Sequence, residues 1–187
     1  MLNYNSPINN QINFNEITVK ELSPVMKLNL RGKKREFFTT VGKQLDMILP
    51  TEANTSSSSS KLTSIWLSLD EWMIVSNEII EKDTNKYPLE ESLYNSISKT
   101  NLGAVVDVTD QFVLFELEGS KIYELFSSGS PFNFNDFKEK KGSTTQTLLN
   151  NIDVTIHNKG ENLVNLFVRR SFSEHLYSWI NDSASRL

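Results

Sequence analysis

Cysteine is absent from the sequence and histidine occurs only twice, and these two shortages exclude several kinds of site. Without cysteine the chain has no disulfide, no thiolate nucleophile, and no zinc or iron–sulfur site built on cysteine ligands. Two histidines are too few for a histidine-rich metal site. The seven glycines are spaced too widely for a P-loop or a dinucleotide-binding glycine motif. We therefore expect no catalytic, cofactor-binding or metal-binding residues in this chain.

The charge balance and the hydropathy of the chain exclude two further classes of partner. Nineteen basic residues against 23 acidic ones give a net charge of −4 and a pI of about 5.3. Nucleic-acid binding generally needs a basic surface, so we expect no nucleic-acid partner. No apolar run approaches the roughly 20 residues of a membrane span, and the polar first ten residues are unlike a signal peptide. The sequence therefore predicts a cytoplasmic protein with no membrane partner.

The length of 187 residues corresponds to roughly one domain. Residues 1–20 are rich in asparagine, and we interpret them as a loosely held N-terminal arm. A serine-rich segment near residues 52–61 cannot bury apolar area, and it predicts a flexible loop. The roughly fifty residues before that segment are too few for a comfortable core of their own. The interpretation is one domain over residues 21–187, with the serine-rich loop inserted in it.

Alternating β-branched and aromatic residues predict strands, and apolar residues three or four apart predict helices between them. Asn150 and Asn151 predict a two-residue hairpin turn, because asparagine tolerates positive φ. Predicted strands cover residues 62–67, 72–75, 104–108, 112–117, 143–149, 152–157 and 163–168, and predicted helices cover residues 39–47, the stretch after Pro88 and residues 119–128. The predicted class is α+β, with a mainly antiparallel sheet and interspersed helices.

Two helix ends carry specific predictions. Gly129 follows the helix predicted at residues 119–128, and it predicts a left-handed cap. Ser171 and Glu174 have the spacing of a capping box, which predicts the start of a last helix. The residues predicted to face inward on that helix are Phe172, Leu176, Trp179 and Ile180.

Asp107 and Asp110 bracket a predicted turn between two strands. A pair of carboxylates can act in acid–base chemistry or hold a metal ion. The alternative, which we favour, is that Asp107 and Thr109 fix the turn through hydrogen bonds from side chain to main chain. Neither His157 nor His175 stands in a recognised frame with a nucleophilic serine, so we expect no catalytic triad.

Aromatic residues indicate candidate contact surfaces. Trp72 flanks a predicted turn, and the three residues Phe132, Phe134 and Phe137 fall within six positions of one loop. That loop cannot lie wholly in water. It either folds back on its own core, which we favour, or docks on a partner, because aromatic residues are enriched at interface centres. Trp72, Phe132 and Phe134 are therefore candidate interface residues.

Basic residues leave similar alternatives open. The basic runs at residues 31–35 and 138–141 either bind a polyanion or, as we favour, are solvated loops. Arg169 and Arg170 close a predicted buried strand, in which side chains alternate between the two faces of the sheet. Arginine is enriched in interfaces. We weigh an internal ion pair and a partner contact equally, and both arginines are candidate interface residues.

Five segments, in order and with sensible spacing, resemble one known protein family. The first reads SIWLSLDEWMIV at residues 64–75, and the second reads GAVVDVTD at residues 103–110. The others are residues 117–119 with 125–131, residues 145–149, and residues 166–172 followed by Trp179. From about residue 21 to residue 180, the chain is similar to the gamma subunits of heterotetrameric sarcosine oxidase.

The resemblance implies a non-catalytic structural subunit of an alpha-beta-gamma-delta assembly, packed directly on alpha. That enzyme oxidatively demethylates sarcosine to glycine, forms peroxide and passes the one-carbon unit to tetrahydrofolate. The resemblance implies that FAD, FMN, NAD, tetrahydrofolate and zinc all belong to other subunits. The implied fold is that of the folate-binding domain of the glycine-cleavage aminomethyltransferase family.

A rival hypothesis is a free-standing folate-binding protein related to the aminomethyltransferases. It is supported by the implied fold and by the turn from Asp107 to Thr109, which resembles a segment of that family. A further alternative is a subunit of a related N-methyl amino-acid oxidase, which would differ only in substrate. Analogy of fold alone does not decide the substrate.

Overall fold

The buried apolar residues of the chain form two separate hydrophobic cores. The structure, a computed structural model, describes residues 6–8, 11–14, 16–22, 24–83 and 85–187. One unit combines the described residues of Met1–Pro24 with Asp110–Leu187, and the other is the continuous segment Val25–Thr109. The structure divides residues 21–187 between these two units, and the single domain predicted for these residues remains a prediction.

Strands and helices alternate along the part of the chain that the structure describes. In chain order they are β1 (Ile12–Phe14), β2 (Ile17–Glu21), β3 (Lys27–Gly32), α1 (Arg35–Leu45), β4 (Ser56–Ser58), β5 (Leu62–Ser68), β6 (Glu71–Ser76), α2 (Pro88–Leu93), β7 (Gly103–Asp107), β8 (Phe112–Glu118), α3 (Ile122–Gly129), α4 (Asn135–Lys138), β9 (Thr144–Leu149), β10 (Ile152–Gly160), β11 (Leu163–Arg169) and α5 (Arg170–Ala184). A π-helical turn, Tyr94–Ser98, continues α2.

Both sheets are antiparallel throughout their described strands. The unit that includes the C-terminal half has a six-stranded sheet in the order β1-β2-β8-β11-β10-β9. The unit Val25–Thr109 has a five-stranded sheet in the order β4-β5-β6-β3-β7. The predicted α+β class with a mainly antiparallel sheet is confirmed.

The core of the six-stranded unit follows directly from the sequence pattern. Alternation along β8 places Val113, Phe115 and Leu117 on one face, where each is at most 1% exposed. Helix α5 contributes Leu176 and Ile180 to the same core. Burial of these apolar side chains is the main force that holds the helix against the sheet.

The segment predicted as a loosely held arm contributes two strands to this sheet. Ile12, Ile17 and Val19 are 4%, 2% and 0% exposed, and Ile12 lies opposite Val19. Strand β2 continues the sheet by pairing with β8. The alternation of Ile17 and Val19 is the strand signal, which the surrounding asparagines mask.

The serine-rich segment predicted as a flexible loop contains the edge strand β4. Ser57 pairs with Ser64 on β5, and its Oγ donates a hydrogen bond to the main-chain oxygen of Ile48 at 2.7 Å. Pairing of main-chain groups needs no apolar side chain, so a run of serines can form a strand where a neighbouring strand offers partners.

Helix α5 does not begin with the predicted capping box. It starts at Arg170, and its N-cap residue, Arg169, makes no side-chain cap bond. In the first turn of the helix, Ser173 Oγ donates a hydrogen bond to the main-chain oxygen of Arg170 at 2.7 Å, which is not a capping bond. Phe172, predicted to face inward, is 49% exposed. The buried residues of the helix are Ser173, Leu176, Ile180 and Ala184.

The two predictions about turn residues have opposite outcomes. Gly129 is the last residue of α3 and is not among the positive-φ glycines, so the predicted left-handed cap is wrong. A Cβ at Gly129 would come 2.5 Å from Cζ2 of Trp179, so close packing against this ring leaves no room for a side chain at position 129. The hairpin prediction is confirmed, because Asn150 and Asn151 have φ angles of 50° and 62° and join β9 to β10.

Candidate functional site

Asp107 ends β7 and fixes the turn that follows it. Its Oδ1 accepts a hydrogen bond from the main-chain N–H of Thr109 at 2.9 Å. Its Oδ2 lies 2.6 Å from Nζ of Lys82. The favoured interpretation, a carboxylate that ties down its own turn, is therefore confirmed.

The surroundings of Asp107 keep its carboxylate ionised. Partial burial raises the pKa of Asp107, but the hydrogen bonds from Lys82 and Thr109 outweigh this effect and bring the pKa below its ordinary value. The Lys82 ammonium also lies 4.7 Å from the ring centroid of Tyr87, a cation–π distance. A carboxylate with both oxygens engaged and a low pKa is poorly suited to act as a general base.

His157 is buried in β10 and is held as a neutral imidazole. It is 3% exposed and lies opposite Asn165 on β11 and Thr144 on β9. Burial, with a smaller effect from Lys159, lowers the pKa of His157 to about 4. His175 lies on the exposed side of α5. Within the described residues, no group of three or more His, Cys, Asp or Glu side chains could hold a metal ion.

The basic run at residues 31–35 makes ion pairs at the surface. Arg31 lies 3.7 Å from carboxylate oxygens of both Asp70 and Glu71, and Lys33 lies 3.4 Å from Asp70. The hydrogen bond from Ser68, aided by Lys33 and Arg31, lowers the pKa of Asp70. Exposed pairs of this kind contribute little to stability. The basic side chains of the run are solvent-exposed, as favoured, but the run is not a loop, because Arg31 lies in β3 and Arg35 begins α1.

Trp72 lies in the core of the unit Val25–Thr109 and is 1% exposed. Its Nε1 donates a hydrogen bond to the main-chain oxygen of Pro50 at 2.8 Å. Its ring centroid is 5.9 Å from that of Phe37 and 5.3 Å from that of Phe38. The side chain is thus used for packing inside its own unit, and its assignment to a subunit interface stays a prediction.

The phenylalanine-rich loop folds back on its own core, as favoured from the sequence. Phe134 and Phe137 are 3% and 5% exposed and belong to the core of the six-stranded unit. The half-buried ring of Phe132 packs against both, with centroid distances of 4.9 Å to Phe134 and 5.9 Å to Phe137. Of the three rings, only Phe132 keeps appreciable surface for a partner.

The two consecutive arginines have different surroundings. Arg170 donates from Nε to the main-chain oxygen of Asp110 at 3.0 Å, and from its main-chain N–H to the oxygen of Gln111 at 2.9 Å. Arg169, the last residue of β11, is exposed. Arg170 therefore anchors the start of α5, whereas Arg169 presents its charge to solvent.

Phe172 lies at the surface, although it was predicted to face inward. The predicted inward stripe began at Phe172, but the observed stripe begins at Ser173 and continues through Leu176 and Ile180. A helical period counted back from Leu176 falls between Phe172 and Ser173, so the sequence pattern did not decide which of the two faces inward. An exposed phenylalanine three positions after the exposed Arg169 is the combination of apolar and charged groups found in protein interfaces.

A model of one protein family matches most of the chain. The family is described as the sarcosine oxidase gamma subunit family, and the match covers residues 32–186. The chain belongs to the sarcosine oxidase gamma subunit family. This confirms the family indicated by the five ordered sequence segments.

A solved structure shows the same fold as this gamma-family chain. It is the heterotetrameric sarcosine oxidase from Corynebacterium sp. U-96 in complex with pyrrole 2-carboxylate. The match has a TM-score of 0.80 and 22% sequence identity, and covers 91% of this chain and 84% of that chain. No curated protein matches the chain. Among the described helices of this gamma-family chain, none has the length and apolar character needed to cross a bilayer.

The five predicted interface residues of this gamma-family chain fall into two groups. Trp72 and Phe134 are buried within their own units. Phe132, Arg169 and Arg170 retain exposed or half-exposed surface. Among these five residues, only the second group offers surface to a partner, and the assignment of all five to a subunit interface stays a prediction.

Proposed function

We propose that this chain is the gamma subunit of a heterotetrameric sarcosine oxidase and serves assembly, without catalytic residues of its own. The observation that carries the proposal is the family match over residues 32–186. In the proposed assembly the chain binds the alpha subunit directly, and beta and delta complete the tetramer. The predicted cytoplasmic location belongs to the same proposal.

The proposed assembly oxidatively demethylates sarcosine to glycine, with formation of peroxide and methylene-tetrahydrofolate. FAD, FMN, NAD, tetrahydrofolate and zinc are proposed to reside on the other subunits. The family match over residues 32–186 supports this assignment.

Co-expression of all four subunits with a tag on this chain tests the proposal. Alpha, beta and delta are expected to co-purify with the tagged chain, and sarcosine-dependent peroxide formation is expected only from the assembly. The matched control is the same co-expression without the gamma chain. Turnover of sarcosine by the isolated chain, or failure of the other subunits to co-purify, would contradict the proposal.

The proposed contact with alpha includes Arg169 and the partly exposed ring of Phe132, which packs on the buried ring of Phe134, while buried Trp72 stabilises its own unit. Arg169→Glu is expected to weaken binding to alpha at least about tenfold, because a reversed charge at an interface is repelled by the groups that paired with the arginine. Arg35→Glu is the matched control, since Arg35 is an exposed arginine at the start of α1. Equal losses in both variants would argue against this location.

The rival hypothesis of a free-standing folate-binding protein is not favoured by the family match. Calorimetric titration of the isolated chain with tetrahydrofolate distinguishes the two functions. The subunit proposal predicts no binding at micromolar concentrations. Micromolar binding that Asp107→Asn abolishes would support the rival.

A further inference from the structure

We propose that Thr109 closes the unit Val25–Thr109 by tying its last residue to its first strand, so that the unit opens only as a whole. The segment is inserted between two parts of the chain that form the other unit. Insertions of this kind require the two ends of the inserted segment to lie close together. The contact between Thr109 and Lys27, called the end clamp below, brings these ends together.

The end clamp consists of reciprocal hydrogen bonds. Thr109 Oγ1 accepts from the main-chain N–H of Lys27 at 2.9 Å and donates to the main-chain oxygen of Lys27 at 3.4 Å. The main-chain N–H of Val108 also donates to that oxygen, at 2.9 Å. Thr109 is 4% exposed and Lys27 is 2% exposed, so water does not compete readily for these groups.

The clamp extends a strand pairing that joins the first and last strands of the unit. Strands β3 and β7 are adjacent and antiparallel, with Leu28 opposite Asp107 and Gly32 opposite Gly103. Beyond Leu28 the threonine hydroxyl takes the place of a main-chain partner for Lys27. Asp107 in turn holds the N–H of Thr109 through its Oδ1. Fraying of β7 from β3 at the Lys27 end therefore requires the clamp to break first.

Removal of the Thr109 hydroxyl leaves the buried N–H of Lys27 without this acceptor. A buried donor that loses its partner bears most of its desolvation penalty. Valine has nearly the same volume as threonine, so Thr109→Val removes the hydrogen bonds with little change in packing. The expected result is local opening of β3 and β7. Because the two sheets belong to separate units with separate cores, the amides of β10 and β11 are expected to remain protected.

Hydrogen exchange of the full chain, measured by mass spectrometry, tests this inference. In Thr109→Val, peptides covering Lys27–Gly32 and Gly103–Asp107 are expected to exchange about tenfold faster or more, with peptides of Ile152–Gly160 unchanged. Thr109→Ser retains the hydroxyl and is expected to match the wild type. Thr39→Val is the control, since it removes an exposed threonine hydroxyl that bonds Arg35 in the same unit. Unchanged exchange in Thr109→Val, or equal acceleration in both units, would overturn the inference.

A second measurement applies if Thr109→Val does not accumulate as folded protein. Exchange of the wild-type chain in low concentrations of urea is expected to show β3 and β7 opening together with the rest of Val25–Thr109. Opening of β7 alone, while β3 and β6 stay protected, would overturn the inference without any variant.

Discussion

Gly103 on β7 lies directly opposite Gly32 on β3, and the buried ring of Phe37 occupies the space beside both. A Cβ at Gly32 would come 2.3 Å from Cδ2 of Phe37. A Cβ at Gly103 would come 2.1 Å from the main-chain oxygen of Arg31 and 3.0 Å from the same ring. The paired glycines therefore allow helix α1 to pack its phenylalanine closely against the sheet.

Gly103→Ala is expected to lower the free energy of unfolding by about 3 kcal/mol, because the added methyl group meets main chain that cannot move aside cheaply. Urea unfolding measures this change. Gly42→Ala in α1 is the matched control, since its Cβ would meet only the oxygen of Met47 at 3.4 Å. That variant is expected to gain about 0.5–1 kcal/mol from helix propensity. A loss of similar size in both variants would show that the close approach at Gly103 is not the cause.

Strands with regular alternation could be predicted from the sequence, and those without it could not. Strand β8 alternates Val113, Phe115 and Leu117, so both its existence and its buried face were clear. Strand β4 is made only of serines, and its pairing depends on the main chain of β5, which no local pattern reveals. Gly129 was misjudged because its contact with Trp179 joins distant parts of the sequence.

Tyr123→Phe is expected to raise the free energy of unfolding by about 1 kcal/mol. The Tyr123 hydroxyl is buried and has no hydrogen-bond partner among the described residues. Burial, with a smaller effect from Glu139, raises the pKa of Tyr123 to about 12, so the group is neutral when it is buried. Thermal and urea unfolding measure the gain. Tyr94→Phe is the control, because Tyr94 is 39% exposed, and a comparable gain there would contradict the explanation.

The buried His157 predicts a loss of stability in mild acid. Its pKa is about 4 in the folded chain and 6.5 as the ordinary value, so between these pH values the unfolded chain binds the additional proton. Stability from this group is therefore fully present above pH 6.5 and is lost as the pH falls toward 4. The difference between the two pKa values corresponds to about 3 kcal/mol.

Unfolding by urea at several pH values between 4 and 7 measures this dependence. His157→Gln removes the titrating group, and its free energy of unfolding is expected to vary less steeply with pH than that of the wild type. His175→Gln, at an exposed position of α5, is the matched control. An unchanged slope in His157→Gln would show that other groups cause the acid sensitivity.

The family could be identified from the sequence, but the accessible part of the candidate interface could not. Residue types indicated interface character for Trp72 and Phe134, yet both are buried in their own cores. Composition does not reveal whether an aromatic ring packs inside its chain or outside it. The exposed position of Phe172 depends on a one-residue shift in the helical stripe of α5, which the incorrect capping box concealed.

Phe172→Ser is expected to weaken co-purification with the alpha subunit while leaving the isolated chain folded. Phe172 is 49% exposed, so its substitution is expected to lower the free energy of unfolding by only about 1 kcal/mol. Leu148→Ser is the matched control, because Leu148 is a 40% exposed apolar residue on β9. Binding to alpha, measured by co-purification and by titration calorimetry, is expected to fall only in Phe172→Ser. Equal binding by both variants and the wild type would place the contact with alpha elsewhere on the chain.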